Sequence, residues 1–153
     1  MNELADRFGD KLNVFGVPCN QFGHQSTEKD FETLAMLRNV RPGGGYEPRF
    51  PLSTRVEVNG ADAHPLFKWL RAALPMPHDD AGGHGSEHIM DNIRLIIWSP
   101  VTRSDVTWNF EKFLVNQDGV PVRRYSPKFP SEAIARDIEM LIAGGPGALG
   151  QPM

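Results

Sequence analysis

The sequence has few of the features that would by themselves fix a function. It contains one cysteine, Cys19, in 153 residues, so an intrachain disulfide is impossible and a reducing compartment suits the composition. A formal net charge of −3 gives no overall positive field that would hold nucleic acid or an anionic membrane. No apolar run approaches the roughly 20 residues of a membrane-spanning helix, and the first ten residues lack the apolar core of a secretory signal. An anionic ligand would therefore have to meet a local group of basic side chains.

The composition that remains is that of one soluble globular domain. Apolar residues make up 40% and charged residues 23% of the chain, which is ordinary for such a domain. A chain of this length can bury a single core. We expect one domain over residues 1–143 and a flexible tail over 144–153, because Gly144 and Gly145 end the last predicted helix.

Hydrophobic periodicity predicts helices that alternate with strands. Helical spacing predicts a second helix over 26–40, with Phe31, Leu34, Met36 and Leu37 on or near its inner face, and Asp62 as the cap of the third helix. The predicted helices cover about 1–10, 26–40, 62–74 and 131–143, and the predicted strands cover 12–17, 52–58, 95–98, 110–115 and 120–125. Asn116 to Gly119 is typical of a hairpin turn between the last two strands. The order α-β-α-β-α-β-β-α indicates an α/β fold.

The order of the predicted elements at the N-terminus is unusual for a parallel sheet. Such a sheet normally has a strand before its first helix, and no strand pattern precedes the helix over residues 1–10. Either the first helix is an addition to the fold, or a strand belongs ahead of it.

Two polar segments follow or border predicted strands. The loop Cys19–Gln25 carries several amide and imidazole groups behind a strand, and Trp108–Asn109 adds an indole N–H and another amide. Neutral donors can stabilise an anion without forming an ion pair that quenches its reactivity. The same sequence pattern is also typical of a plain connecting loop and of a tryptophan that only packs in the core.

Five blocks of the sequence resemble the glutathione peroxidase family. In order they are GVPCNQFGHQ, NVRPGGGYEPRF, EVNGADAHPLFKWLRAALP, IIWSPVTRSDVTWNFEKFLV and DGVPVRRYSPKFP. The similarity runs from Met1 to about Ile142. It implies a thioredoxin-like fold and the reduction of hydroperoxides by two glutathiones, with no prosthetic cofactor.

The resemblance also implies the catalytic residues. In the family a selenocysteine or cysteine acts with a glutamine, a tryptophan and an asparagine, which match Gln25, Trp108 and Asn109. The chalcogen residue lies just ahead of the helix in which this sequence begins, so we expect a selenocysteine upstream of Met1 and an inactive chain as written. Cys19 matches the cysteine of the family's PCNQF block, which is not the peroxide-reducing residue.

Three arginines match positions with which the family's tetrameric branch binds glutathione. They are Arg41, Arg123 and Arg124, and guanidinium groups suit the two carboxylates of glutathione. Without the resemblance, Arg123 and Arg124 would read as solvated side chains of an exposed strand. The glycine-rich loop that follows Arg41 belongs to tetrameric relatives, and the WSPVTRSDV block is closer to cytosolic ones. The resemblance therefore implies a cytoplasmic homotetramer that binds neither nucleic acid nor membrane.

Alternatives remain for the function. A chain complete as written would be a non-catalytic thioredoxin-like module, because Gln25, Trp108 and Asn109 would have no anion to stabilise. A thioredoxin-dependent peroxidase would lack the glycine-rich loop and carry a second cysteine, so glutathione is favoured. A metal site is a weaker alternative than a solvated loop; its candidate ligands are His78, Asp79, Asp80, His84 and His88.

Overall fold

A computed structural model describes residues 1–78 and 93–149 of the chain. The described α-helices are α1 (Asn2–Phe8), α2 (Thr33–Asn39), α3 (Pro65–Ala73) and α4 (Ile134–Gly144). Short 3-10 turns extend three of them, after α1 and before α2 and α4. Each of these helices lies inside a predicted one, except that α4 ends one residue later than predicted, so the helical periodicity predicted the described helices and their order correctly. None of the helices in the described ranges is both long enough and apolar enough to cross a membrane.

The predicted hairpin is confirmed. Strands β1 (Lys112–Val115) and β2 (Pro121–Tyr125) pair in antiparallel register. The side-chain oxygen of Asn116 accepts from the backbone N–H groups of Asp118 at 3.0 Å and Val120 at 2.8 Å. Gly119 has a φ of 78°, which a glycine adopts without a side-chain clash. The turn chemistry therefore fixes the hairpin locally.

The two predicted strands ahead of α3 form only in part. Segments 12–17 and 52–58 run side by side in parallel, but the paired unit is a single bridge between Gly16 and Leu52. Gly16 donates its backbone N–H to the carbonyl of Pro51 at 3.0 Å. A side chain at Gly16 would begin 2.4 Å from the Leu52 side chain, so glycine permits this close approach. The prediction of two full strands is wrong, because the pairing between the two segments amounts to this single bridge.

The predicted buried strand over 95–98 is also wrong. A 3-10 turn covers Ile93–Leu95, and Ile97 is 51% exposed. Trp98 is buried in the core, where its ring packs against Phe22 and its indole N–H donates to Asp105 at 2.8 Å. A side-chain hydrogen bond, rather than strand pairing, holds this segment to the core.

The start of the second helix differs from the prediction. A 3-10 turn begins at Asp30, where the Glu32 carboxylate accepts from the backbone N–H of Lys29 at 2.7 Å. Phe31 and Leu34 are 84% and 60% exposed, so their predicted place on an inner face is wrong. The third helix likewise begins later than predicted, with His64 rather than Asp62 as its N-terminal cap.

Two apolar clusters form the core on either side of β1. Cluster A contains Leu114 and cluster B has Phe113 packed against it; neighbouring residues of a strand point to opposite faces. Cluster A is built from Leu4, Leu114, Val122, Tyr125, Ile134, Ala135, Ile138, Leu141 and Leu149. Cluster B is built from Cys19, Phe22, Val58, Phe67, Trp98 and Val106. The hairpin therefore lies between two cores.

The chain stays packed beyond α4. Leu149 is 7% exposed and belongs to cluster A, and Ala148 packs against the same cluster. The Leu149 carbonyl also accepts from the guanidinium of Arg123 at 3.0 Å. Residues 144–149, predicted to begin a flexible tail, thus contribute to the core, and residues 150–153 lie outside the described part.

Candidate active site

One hydrogen bond brings together two of the residues singled out from the sequence. The side-chain NH₂ of Asn109 donates to Oε1 of Gln25 at 2.8 Å. The two residues are 84 positions apart in the chain, one after the extended segment 12–17 and the other ahead of β1. The fold therefore joins the two polar segments that the sequence shows separately.

A cavity of about 760 Å³ opens beside this pair. Gln25, Trp108 and Asn109 all line it. The indole of Trp108 packs against Phe22, with ring centroids 5.8 Å apart. Since Phe22 is buried in cluster B, the core holds one side of the indole while another side faces the cavity.

The direction of the Gln25–Asn109 bond leaves donors available. Gln25 accepts through its oxygen, so its own NH₂ group is not used in this contact. Within the described residues, neither that NH₂ group nor the indole N–H of Trp108 donates to a protein atom. Neutral N–H groups directed into a cavity can stabilise a negative charge that develops there.

Left-handed backbone conformations flank both halves of the site. Gly23 and His24 have φ values of 64° and 52°, and Phe110 has a φ of 67°. Only glycine adopts this region without cost, so His24 and Phe110 carry backbone strain of the kind that clusters at functional sites. A side chain at Gly23 would begin 3.4 Å from the Trp108 ring, which leaves little room between loop and indole.

Two arginines hold the backbone beside Gln25. Arg41 donates to the Gln25 carbonyl and lines the cavity. Arg55 donates to the carbonyls of Ser26 at 2.6 Å and Glu28 at 3.0 Å. Of the three arginines named from the sequence, Arg41 is thus at the site, while Arg55 was missed because nothing in its local sequence marks it.

The structure places Arg123 and Arg124 away from this cavity. Arg123 donates to Leu149 beside α4. Arg124 is 1% exposed, and its guanidinium donates to Glu111 and to four main-chain carbonyls. The donors of Arg124 are thus directed at protein acceptors inside the core, and its role in glutathione binding stays a prediction.

Arg124 instead supports the loop that carries Trp108 and Asn109. Oε2 of Glu111 accepts from Arg124 at 2.6 Å. Oε1 of Glu111 accepts from the backbone N–H of Thr107 at 2.7 Å and from its hydroxyl at 2.8 Å. The buried carboxylate thus ties both ends of the loop 107–111 to β2.

A buried amide network lies beneath the site. Oε1 of Gln21 accepts from the backbone N–H groups of Val58 at 2.9 Å and Asn59 at 3.0 Å. The Asn59 side chain exchanges two bonds of 2.9 Å with the backbone of Val106. Both amides are at most 5% exposed, so they join three loops and are not available to a ligand. The loop composition alone does not separate Gln21, a structural amide, from Gln25, which lines the cavity; only the family resemblance singled out Gln25.

Cys19 is a buried thiol. It belongs to cluster B, and burial raises the pKa of its thiol above the ordinary value, an effect that backbone N–H groups of Gln21 and Val58 reduce only in part. A raised pKa means a smaller thiolate fraction at any pH below it, and the thiolate is the reactive form.

We therefore expect Cys19 to react slowly with thiol reagents in the folded chain. At pH 8 its rate with a disulfide reagent should be at least about tenfold below that of the same chain unfolded in urea, where burial is lost. Stopped-flow absorbance measures both rates on one sample. Equal rates in the folded and unfolded chains would contradict the buried thiol.

The metal alternative receives no support from the part of the chain that the structure covers. No group of three or more histidine, cysteine, aspartate or glutamate side chains there could hold a metal ion. His78 packs instead against the rings of Tyr125 and Phe129. The other four candidate ligands, in 79–88, lie outside the described residues.

Known sequences similar to this chain belong to one family. A family model described as glutathione peroxidase matches residues 1–71. Glutathione peroxidase 1 of Macaca fuscata fuscata is 57% identical over 149 residues, which cover 97% of this chain and 72% of the relative. Glutathione peroxidase 1 of Hylobates lar is 57% identical over 147 residues, covering 95% and 71%.

Solved structures show the same likeness. Trgpx in its apo form superposes with a TM-score of 0.58 at 27% identity, covering 92% of this chain and 64% of that one. T. cruzi GPX1 superposes with a TM-score of 0.57 at 24% identity, covering 93% and 68%. The chain thus spans somewhat less than two thirds of Trgpx. The thioredoxin-like fold expected from the sequence is confirmed.

Proposed function

Because the chain belongs to the glutathione peroxidase family, we propose that it forms the greater part of an enzyme that reduces hydrogen peroxide and organic hydroperoxides with glutathione. The observation that carries the proposal is the 2.8 Å bond between Asn109 and Gln25. Both amides and the Trp108 indole line one cavity, which supports a shared role. Such an activity would protect a cell from oxidative stress.

The neutral donors fit this chemistry. A chalcogen nucleophile attacks the O–O bond as an anion, and N–H groups that bind the anion lower its pKa. The same groups can stabilise the charge that appears on the departing oxygen. Because Gln25 and Trp108 are uncharged at every pH, they can do both without forming an ion pair with the nucleophile.

The nucleophile itself is proposed to be a selenocysteine encoded ahead of Met1. Cys19 is a poor substitute because it is buried and its thiol pKa is raised. The nucleotide sequence upstream of Met1 tests this proposal directly. An in-frame TGA preceded by codons for an apolar strand would support it, whereas an upstream terminator with no such strand would refute it.

Glutathione is proposed to bind through Arg41 and Arg123. Arg41 lies at the cavity, and its exposed guanidinium could meet a glutathione carboxylate while it also holds the Gln25 carbonyl. Arg123 is only partly buried, whereas the donors of Arg124 are directed at protein acceptors in the core, so its predicted part in binding has less support. Assays with glutathione and with reduced thioredoxin in parallel separate the two peroxidase classes, since only the first should depend on Arg41.

We expect removal of the Gln25 side-chain amide to lower the activity without unfolding the protein. In the chain extended upstream, with cysteine at the TGA position, Gln25→Ala should lower kcat/KM for hydrogen peroxide by about 10²-fold, the usual loss for one such donor. The pH–rate profile should also move to higher pH, because the nucleophile loses a donor that favours its anion.

The matched control is Gln117→Ala, which removes an exposed amide of the hairpin turn. It should leave both rate and profile unchanged. A coupled assay of glutathione oxidation measures each variant. If Gln25→Ala kept full activity, or if the unextended chain were equally active, the proposed roles of Gln25 and of the external nucleophile would be wrong.

The glycine-rich loop after Arg41 supports a further proposal on assembly and location. Val40, which precedes the loop, is 65% exposed, a surface that association would cover. We assign the complete protein to the cytoplasm as a homotetramer, with glutathione and hydroperoxides as partners. Sedimentation of the extended chain tests the tetramer.

A further inference from the structure

The peptide unit between Gln25 and Ser26 is bonded to side chains at both of its polar groups. Its carbonyl oxygen, which belongs to Gln25, accepts from the Arg41 guanidinium. Its N–H, which belongs to Ser26, donates to Oδ1 of Asn20 at 2.9 Å. A peptide unit is planar, so bonds on its two opposite sides fix the orientation of that plane. Because the plane begins at the Cα of Gln25, its orientation limits where the Gln25 side chain can point.

The Asn20 side chain closes the loop that carries Gln25. Its bond to Ser26 joins residues six positions apart, in a segment of the chain that contains no helix or strand. Within this loop, Gly23 and His24 have left-handed backbone conformations. Since His24 is not a glycine, that conformation persists only where surrounding contacts hold it. The bond from Ser26 to Asn20 is such a contact, because it spans both left-handed residues.

Asn20 itself is placed behind the cavity wall. Gln25 and Ser26 line the cavity, whereas Asn20 is not one of the residues that line it. Asn20 is partly buried, and the atom that meets Ser26 is its oxygen, since an N–H donates to it. Asn20 can therefore influence a reaction in the cavity only through the loop that it holds.

The contact between Gln25 and Asn109 depends on the direction of the Gln25 side chain. Oε1 of Gln25 has to reach the NH₂ group of Asn109, which donates to it at 2.8 Å. Rotation of the peptide plane after Gln25 would move Oε1 away from Asn109. It would also turn the NH₂ group of Gln25, which completes the same planar amide, to another direction.

From these contacts we propose that Asn20 is a positioning residue for Gln25. Its side-chain oxygen holds the peptide plane between Gln25 and Ser26, and this plane directs the Gln25 amide toward Asn109 and the cavity. The inference rests on the proposed peroxidase function, in which Gln25 donates to the nucleophile and to the departing oxygen. A purely structural Asn20 would affect stability and leave the properties of the nucleophile unchanged.

Kinetics of the extended chain, with cysteine as the nucleophile, test the proposal. Asn20→Ala should lower kcat/KM for hydrogen peroxide about tenfold, less than Gln25→Ala, because the donor is misdirected rather than lost. The pH–rate profile should move to higher pH, as it should for Gln25→Ala. Asn20→Asp keeps an acceptor oxygen at the same place and should retain kcat/KM to within about threefold. Asn20→Ala should add no further loss in a Gln25→Ala background, because the two residues act as a unit.

The matched control is Asn116→Ala. Asn116 is also partly buried, and its side-chain oxygen also accepts from backbone N–H groups, those of the hairpin turn. Its replacement should leave kcat/KM and the pH–rate profile unchanged, and circular dichroism checks that every variant folds. An unchanged profile in Asn20→Ala would overturn the positioning role, as would an Asn20→Asp variant no faster than Asn20→Ala.

Nuclear magnetic resonance separates this inference from the proposed function, because it needs no peroxide. The side-chain NH₂ group of Asn109 donates to Gln25, so its resonances report whether that bond is formed. They should shift in Asn20→Ala and stay in place in Asn20→Asp and Asn116→Ala. That pattern in a chain without peroxidase activity would refute the proposed function and support the placement of Gln25 by Asn20. Unshifted Asn109 resonances in an active Asn20→Ala enzyme would overturn the positioning role alone.

Discussion

Replacing Arg124 with methionine is expected to lower the free energy of unfolding by about 3–5 kcal/mol, the usual cost of removing one partner of a buried ion pair. The side chains of Arg124 and Glu111 are each 1% exposed. Methionine would leave the Glu111 carboxylate in the core without its cation. It would also leave four main-chain carbonyls without the guanidinium donors they now have.

The neighbouring arginine supplies the control for this prediction. Arg123 lies on the same strand, but its side chain is only partly buried, and its hydrogen bond to a residue distant in sequence is the one to the Leu149 carbonyl. We therefore expect Arg123→Met to change the free energy of unfolding by at most about 0.5 kcal/mol. Urea unfolding followed by circular dichroism measures both variants. A loss below about 1 kcal/mol for Arg124→Met would mean that the pair contributes little.

Arg124→Met should also affect the candidate active site. Glu111 accepts from Thr107 as well as from Arg124, so loss of the cation loosens the loop that carries Trp108. A double variant that also replaces Glu111 with glutamine should lose less stability than the sum of the two single changes, because it removes the charge that the first change leaves unpaired.

The helices and the hairpin could be predicted because their signals are local. The apolar residues that predict α4 lie in the helix itself, and the residues that predict the hairpin are those of its turn, Asn116–Gly119. The strands over 12–17 and 95–98 could not, because a strand exists only where a distant segment pairs with it. The sequence shows the apolar run but not how many of its backbone groups find a partner in a distant segment.

The candidate site divides in the same way. Gln25, Trp108 and Asn109 could be identified through the family resemblance, and the fold brings Gln25 and Asn109 into contact. The burial of Arg124 could not be predicted, because an arginine in the sequence gives no sign of the carbonyls that surround it in the fold. Gln21 and Gln25 show the same limit, since one amide enters the core and the other faces the cavity.

Asp105 carries the second large prediction, because four donors converge on a carboxylate that is 1% exposed. They are the Arg71 guanidinium, the Trp98 indole at 2.8 Å, and the Thr102 backbone N–H and hydroxyl at 2.9 and 2.7 Å. Donors face both oxygens, so the NH₂ group of an asparagine would oppose donors in either orientation. Arg71, 8% exposed, would also keep a buried charge without its anion.

Asp105→Asn should therefore lower the free energy of unfolding, measured in urea, by about 3–5 kcal/mol. The matched control is Asp118→Asn in the exposed hairpin turn, which should change that free energy by at most about 0.5 kcal/mol. Similar stabilities for the two variants would show that the carboxylate's charge is not what holds Trp98 and Arg71 in the core.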